Sequence, residues 1–304
     1  MSSPSLDLAL LNNFLTVANE GSISAAARKL MIAQPALSKQ MQKLEAEFGC
    51  MLLVRGRKIT LTDAGRALKE SALSLKIMEN SVRATMSQFS GEMDRLRLAC
   101  TPHNASVFLD GVLTPFLQKH PDIHLEMYEK STTDILALMK EGEAEIGIVN
   151  DLPSDTRGFT VHCHISDPLV AVWHPDFKFD IGDGLEIKHL KGVDVALIRS
   201  LNDRISGYCA AEGFIPNIVC VSSQLSTSLL MAIKNKAVAI VPYSAMRKYS
   251  DLRFSFFKES FMTFPTNLVS YSETVGNAAR DLIAIFRDTV KDSLLLNVYQ
   301  SFFN

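Results

Sequence analysis

The sequence lacks the features that identify several large classes of protein. Its five cysteines are scattered and form no Cys-x-x-Cys pair, so neither a disulfide scaffold nor a zinc ribbon is indicated. No apolar run approaches the roughly 20 residues that a membrane span needs, and no basic segment leads into a small-residue cleavage site near the start. We therefore expect a cytoplasmic protein with reduced thiols and no membrane partner.

Motifs typical of enzymes are also missing. The chain has no Gly-x-Ser-x-Gly elbow, no phosphate-binding loop and no dinucleotide fingerprint, so we expect no catalytic residues, no cofactor and no enzymatic activity. One candidate metal site, His162-Cys163-His164, places two histidines on one face of an extended segment. No further ligands follow at a suitable spacing, so a solvent-facing strand is the preferred interpretation and we expect no metal.

The residues that are present suit a globular protein whose charge is unevenly distributed. The chain has 304 residues, 47% of them apolar and 21% charged, which favours two globular units. The net charge is −2, yet residues 1–66 hold eight Lys and Arg against five Asp and Glu, a local charge of +3. A basic excess at one end fits a nucleic-acid partner, although solvated helix faces carry similar charge.

Three short helices are predicted before residue 50. Apolar residues recur at three- and four-residue steps over residues 6–19 and indicate the first helix. Ser22 and Ser24 are suitable N-caps for the second helix. The third covers residues 34–48, because its second residue is a proline, which suits a first helical turn, and Gly49 is a typical stop.

The third predicted helix has two contrasting faces. Its apolar residues lie on one side, and the other side carries amide, hydroxyl and cationic groups: Gln34, Ser38, Lys39, Gln42 and Lys43. No acid precedes Glu45, and these groups can donate to base edges and phosphates, where a carboxylate would be repelled. The pattern predicts a helix-turn-helix with the third helix as its recognition element; an ordinary three-helix bundle with an exposed polar face is the alternative.

A β-hairpin is predicted directly after this helix. Residues 51–54 are apolar and residues 59–61 are β-prone, and Arg55-Gly56-Arg57-Lys58 lies between them. Such a wing would hold three cations against phosphates or in a minor groove. A solvated basic turn is the alternative.

Taken together, the first 65 residues closely resemble the N-terminal domain of LysR-type transcriptional regulators. The ordered matches are Phe14, Val17-Ala18, Gly21-Ser22, Ser24-Ala25-Ala26, Leu30, the run from Gln34 to Gln40, Leu44-Glu45, Phe48-Gly49, Leu52-Leu53, Arg55, Leu61-Thr62 and Ala64-Gly65. The resemblance implies a winged helix-turn-helix that binds double-stranded DNA. The residues that it places at the DNA are Gln34, Pro35, Ser38, Lys39 and Gln42, with Arg55, Arg57 and Lys58 on the wing. The wing is one residue shorter than the usual Arg-x-x-Arg-x-Val-x-Leu-Thr pattern, so the resemblance does not define which cation reaches the groove.

A long helix is predicted over residues 62–90. Thr62 is a suitable N-cap, and no Pro or Gly interrupts residues 66–90. An apolar seam with the spacing of a coiled coil consists of Leu61, Ala64, Leu68, Ala72, Leu75, Met78, Val82, Met86 and Phe89. The expected partner of this seam is a second copy of the chain, which predicts a homodimer; packing of the helix on its own chain is the alternative.

Strands and helices alternate in the rest of the chain, which predicts a parallel sheet covered on both faces and divided into two α/β lobes. The predicted strands are 96–100, 123–129, 146–149, 168–174, 193–198, 218–221 and 237–241. The predicted helices are 107–119, 134–141, 203–212 and 224–235.

Ligands of such sheets bind beyond the carboxyl ends of the strands, where helix N-termini offer unpaired N–H groups. The residues at these ends are Thr101, Pro102, His103, Ser131, Thr132, Thr133, Arg199, Ser200, Ser222 and Ser223. We expect them to surround a small-molecule effector. Any single Ser or Thr among them could equally be a helix N-cap.

This second half resembles the effector domain of the same family, on weaker motifs. They include His120-Pro121 before a strand, Ile146-Gly147-Ile148, and Val241-Pro242 after an apolar strand. The resemblance implies a C-terminal α/β domain whose two lobes are similar to those of periplasmic solute-binding proteins, with an effector in the cleft, and a homotetramer built from dimers. Residues 234–237, Lys-Asn-Lys-Ala, depart from the glycine-rich turn that is usual before Val-Pro, so the effector cannot be inherited from a relative.

The predicted organisation is a winged helix-turn-helix in residues 1–61, a linker and dimerisation helix in 62–90 and an effector-binding domain in 91–304. Within the last of these, lobe I is expected to contain residues 92–167 and 268–304, and lobe II residues 168–267.

A redox sensor is the variant of this function that the cysteines suggest. Residues 202–209 resemble the segment that carries the redox cysteines of the family's peroxide sensors, and Cys209 matches the second of that pair. Ser200 occupies the position of the peroxide-attacking cysteine, so no thiolate is available there to start the reaction. Peroxide sensing is therefore not expected.

Overall fold

The computed structural model describes residues 6–56, 58–90, 95–107, 109–271 and 275–291 of the chain. The chain forms two compact units: Met1–Glu92 together with Lys140–Glu143, and Met93–Met139 together with Ala144–Asn304. Across the described ranges, no helix combines the length and the apolar character that crossing a membrane requires.

The first unit is a three-helix head followed by a small hairpin and a long helix. Its elements are α1 (Leu8–Glu20), α2 (Ile23–Lys29), α3 (Gln34–Phe48), β1 (Leu53–Val54), β2 (Thr60–Leu61) and α4 (Asp63–Ser90). The strands β1 and β2 pair antiparallel, with Leu53 opposite Leu61. The predicted helices and the wing are therefore confirmed, and α3 has the predicted bounds.

Local capping explains where these helices begin and end. The Asp7 carboxylate accepts from the backbone N–H of Ala9 at 2.9 Å and caps α1, and Ser22 accepts from Ala25 N–H at 3.3 Å and caps α2. Helices α1 and α3 both end at a glycine in the left-handed region, where a side chain would be strained. The α3 N-cap is Ala33, whose side chain offers no cap.

One core holds the head together and also anchors the wing. Its buried residues come from all three helices, from the wing and from α4: Leu10, Leu11, Phe14, Leu15, Val17, Ala26, Ala27, Leu37, Met41, Leu44, Leu52, Leu53 and Ala72. At Gly65, a Cβ atom would collide with the Leu52 carbonyl oxygen. Glycine is thus required where α4 passes the first strand of the wing.

The second unit alternates strands and helices. Its strands are β3 (Arg95–Cys100), β4 (His124–Glu129), β5 (Ile146–Val149), β6 (Thr160–Trp173), β7 (Asp194–Ile198), β8 (Asn217–Ser222), β9 (Val238–Pro242), β10 (Arg253–Phe256) and β11 (Thr263–Ser270). Its α-helices are α5 (Pro102–Val107), α6 (Leu109–Lys119), α7 (Thr132–Lys140), α8 (Arg199–Ala211), α9 (Leu225–Ile233) and α10 (Asn277–Lys291), with 3₁₀ turns at Ile187–Leu190 and Tyr243–Lys248.

The prediction of a parallel sheet is wrong for the middle of this unit. The strand order is β4-β3-β5-β11-β6-β9-β7-β8, with β10 beside β6. Strand β3 runs parallel to β4 and β5, and β7 runs parallel to β8 and β9. The central strands β6 and β11 are antiparallel to each other and to β9 and β5 respectively, because no helical crossover precedes either strand to return the chain in the parallel direction.

Separate hydrophobic clusters, two in the first lobe and one in the second, divide the unit into two lobes. Lobe I is built around buried residues between 96 and 165 and between 268 and 286. Lobe II is built around buried residues between 169 and 264. Strands β6 and β11 run through both lobes, so they form the double connection between them.

Candidate nucleic-acid interface and effector cleft

The polar face of α3 is accessible to a large partner. Gln34, Pro35, Lys39 and Gln42 are exposed and Ser38 is half-buried. The opposite face of the same helix is buried in the core through Leu37, Met41 and Leu44. Among the described side chains, Lys39 and Lys43 form no ion pair. The helix therefore presents amides, a hydroxyl and two ammonium groups outward, as the sequence predicted.

Two side-chain hydrogen bonds orient this helix against its neighbours. Ser24 Oγ on α2 donates to Gln34 Oε1 at 3.1 Å, and Asn13 Nδ2 on α1 donates to Gln40 Oε1 at 2.8 Å. The first bond uses only the carbonyl oxygen of the Gln34 side-chain amide. Ser24 thus lies inside α2 and positions Gln34, whereas Ser22 alone caps that helix.

Glu45 joins α3 to the wing, a role that is not evident from the helical pattern. It is 8% exposed. Its Oε1 accepts from the backbone N–H groups of Leu52 and Leu53 at 3.0 and 3.1 Å, and its Oε2 accepts from Arg55 Nη2 at 3.2 Å. The first acid of α3 is therefore neutralised and bonded, and the wing cannot shift without breaking these bonds. No role was assigned to Glu45 from the sequence, although the Leu44-Glu45 pair is among the residues that resemble the family.

The three predicted wing cations have different surroundings. Arg55 is exposed and paired with Glu45, and Lys58 is exposed beside Gly21, whose carbonyl accepts from Ile59 N–H at 2.9 Å. Arg57 lies outside the described residues. A hollow of about 480 Å³ lies between the end of α3 and the wing. It is lined by Gln42, Glu45, Ala46, Gly49, Cys50, Met51 and Arg55.

The apolar seam of α4 divides into two parts. Leu61, Ala64, Leu68 and Leu75 pack against the core of the head, where Ala72 is buried. Further along, Met78, Val82 and Met86 are 65%, 57% and 56% exposed, and the side chain of Phe89 lies outside the described residues. Packing on the same chain, the alternative considered from the sequence, thus accounts for only the first part of the seam.

The predicted effector residues of lobe I are bonded mainly to their own chain. Thr101 is buried, and its Oγ1 donates to Asn150 Oδ1 at 2.8 Å. Thr132 Oγ1 accepts from the Asn150 backbone N–H at 3.3 Å. Ser131 Oγ accepts from Asp134 N–H at 3.3 Å, which makes it the N-cap of α7. Thr133 is exposed.

Pro102 and His103 belong to the first turn of α5 rather than to a loop. The His103 ring packs edge-on against Phe264, with 5.0 Å between ring centroids. Burial lowers the pKa of His103 to about 4 because the protonated ring would lose its hydration. His103 is therefore neutral at neutral pH and sits where β11 meets lobe I.

The predicted effector residues of lobe II are more accessible. Arg199 and Ser200 are exposed in the first turn of α8. Ser222, the last residue of β8, accepts from Gln224 N–H at 3.0 Å, and Ser223 is exposed. Helices α7 and α8 begin earlier than predicted, so several residues expected in loops occupy first helical turns.

The unusual turn before the Val-Pro segment has a simple structural explanation. Asn235 adopts a φ of 55°, a left-handed conformation that asparagine tolerates better than most residues. It therefore supplies the backbone geometry that a glycine-rich turn would otherwise provide.

An ion pair across the two lobes is a further feature that the sequence did not predict. Arg204 on α8 in lobe II donates from Nη2 to both carboxylate oxygens of Asp151 at 2.7 Å. Asp151 directly follows β5 and Asn150 of lobe I. The contact shows that the end of β5 faces α8. The only signal in the sequence was an acid just beyond a strand end.

The structure gives no support to redox or metal chemistry at the candidate residues. Cys209 is buried, and desolvation raises its pKa to about 11, which suppresses the reactive thiolate. His162 bonds Ser270 Oγ and His164 bonds Asn267 Oδ1, both at 2.8 Å. Within the ranges that the structure describes, no group of three His, Cys, Asp or Glu side chains is placed to hold a metal.

Two family models together match most of the chain. The family model described as "Bacterial regulatory helix-turn-helix protein, lysR family" matches residues 8–66. The model described as "LysR substrate binding domain" matches residues 90–291, which is more than half of the chain.

Relatives and solved structures agree with these matches. CitR, an HTH-type transcriptional regulator of Bacillus subtilis, is 30% identical over 61% of this chain and 64% of its own length, so the chain matches under two thirds of that protein. YnfL, an uncharacterized HTH-type transcriptional regulator of Escherichia coli, is 31% identical over 80% of this chain and 84% of its own length. Full-length CbnR, crystallised with its target DNA, aligns with a TM-score of 0.55 and 24% identity over 93% of this chain and 99% of that chain, and shows the same fold.

The two family models match the helix-turn-helix head and most of the two-lobed unit respectively. The chain therefore belongs to the LysR family of transcriptional regulators, with a helix-turn-helix DNA-binding domain and a substrate-binding domain.

Proposed function

We propose that this regulator recognises operator DNA with the polar face of α3 and the wing, and that a small-molecule effector between its two lobes modulates this binding. One observation carries the proposal: the acid-free face of α3 is exposed while its opposite face is fixed in the core. The fold that it shares with CbnR, a regulator crystallised with its target DNA, supports it.

Each proposed DNA contact follows from side-chain chemistry. Gln34 and Gln42 can bond adenine edges, Lys39 suits a phosphate or a guanine, and Ser38 suits either base or phosphate oxygens. Pro35 adds an apolar contact at the start of the helix. On the wing, Arg55, Arg57 and Lys58 are proposed to contact the backbone or the minor groove. Lys58 is the wing cation least engaged with its own chain among those described.

The operator-binding form is proposed to be a homodimer through α4. The exposed part of its seam, Met78, Val82 and Met86, repeats at four-residue steps and has no cover within the described chain. Pairing with a second copy would bury this stripe and present two heads to two half-sites.

A second interface between effector units is proposed to assemble dimers into a homotetramer. The sheet of this unit ends in β4 on one side and β8 on the other, and unpaired edges invite pairing. Exposed apolar side chains lie on these edge strands, Met127 on β4 and Val219 and Val221 on β8. Others lie on helices α6 and α9: Leu117, Leu230 and Ile233.

The effector is proposed to bind between the carboxyl ends of the strands of the two lobes. Thr133, Arg199, Ser200 and Ser223 offer exposed polar groups. Thr101, Ser131, Thr132 and Ser222 would exchange their internal bonds for ligand bonds. Pro102 and His103 would shape the site. The proposed lobe boundaries are residues 92–167 with 268–304 for lobe I and 168–267 for lobe II.

The cleft is proposed to sense a ligand and not to transform it. The family consists of transcriptional regulators, and the buried histidine at the cleft is neutral and packed against an aromatic ring. We propose that the protein acts in the cytoplasm, where effector closure of the cleft shifts subunit packing and thereby the spacing of the two heads.

The decisive experiment measures binding of the full-length protein to the upstream region of its own gene by fluorescence anisotropy over a salt series, with a scrambled duplex as control. We expect a steep loss of affinity with salt and a sequence-specific remainder. Weak binding that ignores both salt and sequence would contradict the proposal. A thermal-shift screen of metabolites on the same protein then seeks the effector.

A further inference from the structure

The Arg204 guanidinium connects the two lobes at the mouth of the proposed effector cleft. Its Nη2 donates to both oxygens of Asp151 in lobe I, and its Nη1 donates to the carbonyl of Thr263, where β11 begins in lobe II, at 2.8 Å. The helix that carries it is held in the lobe II core by Leu201 and Ile205. Arg204 therefore cannot follow Asp151 unless α8 and lobe II move as well.

The backbone next to Asp151 is fixed, because its neighbour Asn150 is buried and bonded at every polar group. The Asn150 side chain accepts from the Thr101 hydroxyl, and its backbone N–H donates to the Thr132 hydroxyl. Both threonines are among the proposed effector contacts. A ligand that recruits the Thr101 hydroxyl takes the proton that now bonds Asn150 Oδ1.

The remaining bonds of Asn150 reach the strand that connects the lobes. Its Nδ2 donates to the Pro265 carbonyl at 3.1 Å, and its own carbonyl accepts from Asn267 Nδ2 at 2.6 Å. Both partners lie on β11, which passes through both lobes. Asn150 thus touches the effector loops, the connecting strand and, through Asp151, the ion pair.

We infer that Arg204 and Asp151 form a latch that holds the two lobes together, and that Asn150 couples this latch to the Thr101 and Thr132 hydroxyls in the effector cleft. An effector that engages these hydroxyls weakens the hold of Asn150 on Asp151 and releases the latch, so that the lobes can leave the arrangement seen here and close around the ligand. By linkage, a weaker latch strengthens effector binding by the same factor. The inference rests on the proposed effector cleft and specifies how the cleft would control lobe movement.

The chain contains a second arginine–carboxylate pair that serves as a control, because it does not join the two lobes. Arg157 also binds both oxygens of a carboxylate, that of Asp155, through its Nε and Nη2, but both residues belong to one loop of lobe I. The Arg157 and Asp155 side chains are 91% and 58% exposed, against 22% and 55% for Arg204 and Asp151. Arg157→Gln removes an arginine–carboxylate pair that lies within lobe I.

The test of the latch is amide hydrogen exchange of the full-length protein for the wild type, Arg204→Gln, Asp151→Asn, Arg157→Gln and the charge-swapped Asp151→Arg/Arg204→Asp. We expect the first two variants to exchange roughly threefold to tenfold faster at residues 150–155 and 199–206 together. Arg157→Gln should leave residues 199–206 unchanged, and the swap should restore part of the protection. Unchanged exchange at 199–206 in Arg204→Gln and Asp151→Asn would overturn the latch.

The coupling through Asn150 is tested without a ligand by Thr101→Val, which removes the hydroxyl that an effector would recruit. Exchange in lobe II at residues 199–206 should rise as it does in Asp151→Asn, whereas Thr133→Val, on the same rim, should not change it. Faster exchange confined to lobe I would overturn the coupling. Binding to the upstream DNA, measured on the same wild-type sample, tests the proposed function separately, so failure of one leaves the other standing.

Discussion

The two candidate sites of this protein differ in how their polar groups are engaged. On α3, Lys39 and Gln42 face outward while the helix is fixed from behind by the core. In the cleft, Thr101 and Thr132 already bond Asn150. The difference teaches that the proposed DNA contacts of α3 need no rearrangement of that face, whereas a ligand in the proposed cleft must replace bonds that now support the fold. The first site suits rapid association, and the second suits a switch.

The contrast between the two sites should be weakest at Glu45, a group of the DNA-binding unit that is bonded within the protein as fully as the cleft hydroxyls are. Glu45→Ala leaves the Leu52 and Leu53 N–H groups without their acceptor and Arg55 without its partner. We expect the head to lose about 3 to 4 kcal/mol of unfolding free energy, measured by urea denaturation. Glu47→Ala on the same helix is the control; equal losses in both would refute the role of Glu45 as wing anchor.

Acid should weaken the effector unit selectively, because His103 is buried there in the neutral form. Its pKa is about 4 when folded and about 6.5 when unfolded, so between these values only the unfolded chain binds the proton. The free energy of unfolding therefore falls as the pH drops from about 6.5 towards 4, by about 3 kcal/mol in total. Urea denaturation at pH 7 and 4.5 measures it. His103→Gln should lose this pH dependence, and retention of it would contradict the assignment.

Thr101→Val tests whether the cleft hydroxyls support the fold. Asn150 Oδ1 would lose its donor inside the protein, which should cost about 1 to 2 kcal/mol of unfolding free energy. Thr133→Val, at an exposed position, should cost less than about 0.5 kcal/mol. Equal and negligible effects on thermal denaturation would remove the contrast between the two sites.

On the DNA-binding side, Lys39→Gln should leave stability unchanged and weaken DNA binding. We expect a loss of about 1 kcal/mol that is similar for specific and scrambled duplexes, with the salt slope reduced by about one. Lys29→Gln, whose lysine pairs with Glu20 on the far side of the turn, is the matched control in the same anisotropy titration. A loss of the same size in that control would argue against a specific role of the α3 face.

The smallest expected effect is a gain in the stability of the head. Ala33 is the N-cap of α3 and provides no side-chain acceptor, so Ala33→Ser should stabilise the head by about 0.5 to 1 kcal/mol. The melting temperature should rise without any loss of DNA affinity. A fall in melting temperature would show that the α3 N-terminus is constrained in another way.

Residues that begin and end helices made the head predictable from the sequence. Pro35 and Gly49 bracket α3, and the wing follows from two short apolar runs around a basic turn. The effector unit was predictable where strands and helices alternate, but β11 was not identified and the antiparallel centre was not foreseen. Strand β11 is buried because it pairs with β5 and β6, which are distant in sequence. The spacing of its own apolar residues therefore does not reveal it.

The candidate sites also divide into residues that local sequence reveals and residues that only distant contacts bring together. The exposed face of α3 could be predicted because helical periodicity alone separates it from the core. Glu45 was overlooked because its buried position depends on the wing folding back over it. Arg204 and Asp151 lie 53 residues apart and meet only through the packing of two lobes, so sequence spacing offered no means of pairing them.

The close passage at Gly65 couples the start of α4 to the wing. Thr62 N–H donates to the Leu52 carbonyl at 3.1 Å and the Thr62 hydroxyl donates to the Met51 carbonyl at 2.7 Å, so the start of the long helix is fastened to the wing where their backbones nearly touch. A tilt of α4 at this end therefore moves β1 with it, or else breaks these two bonds.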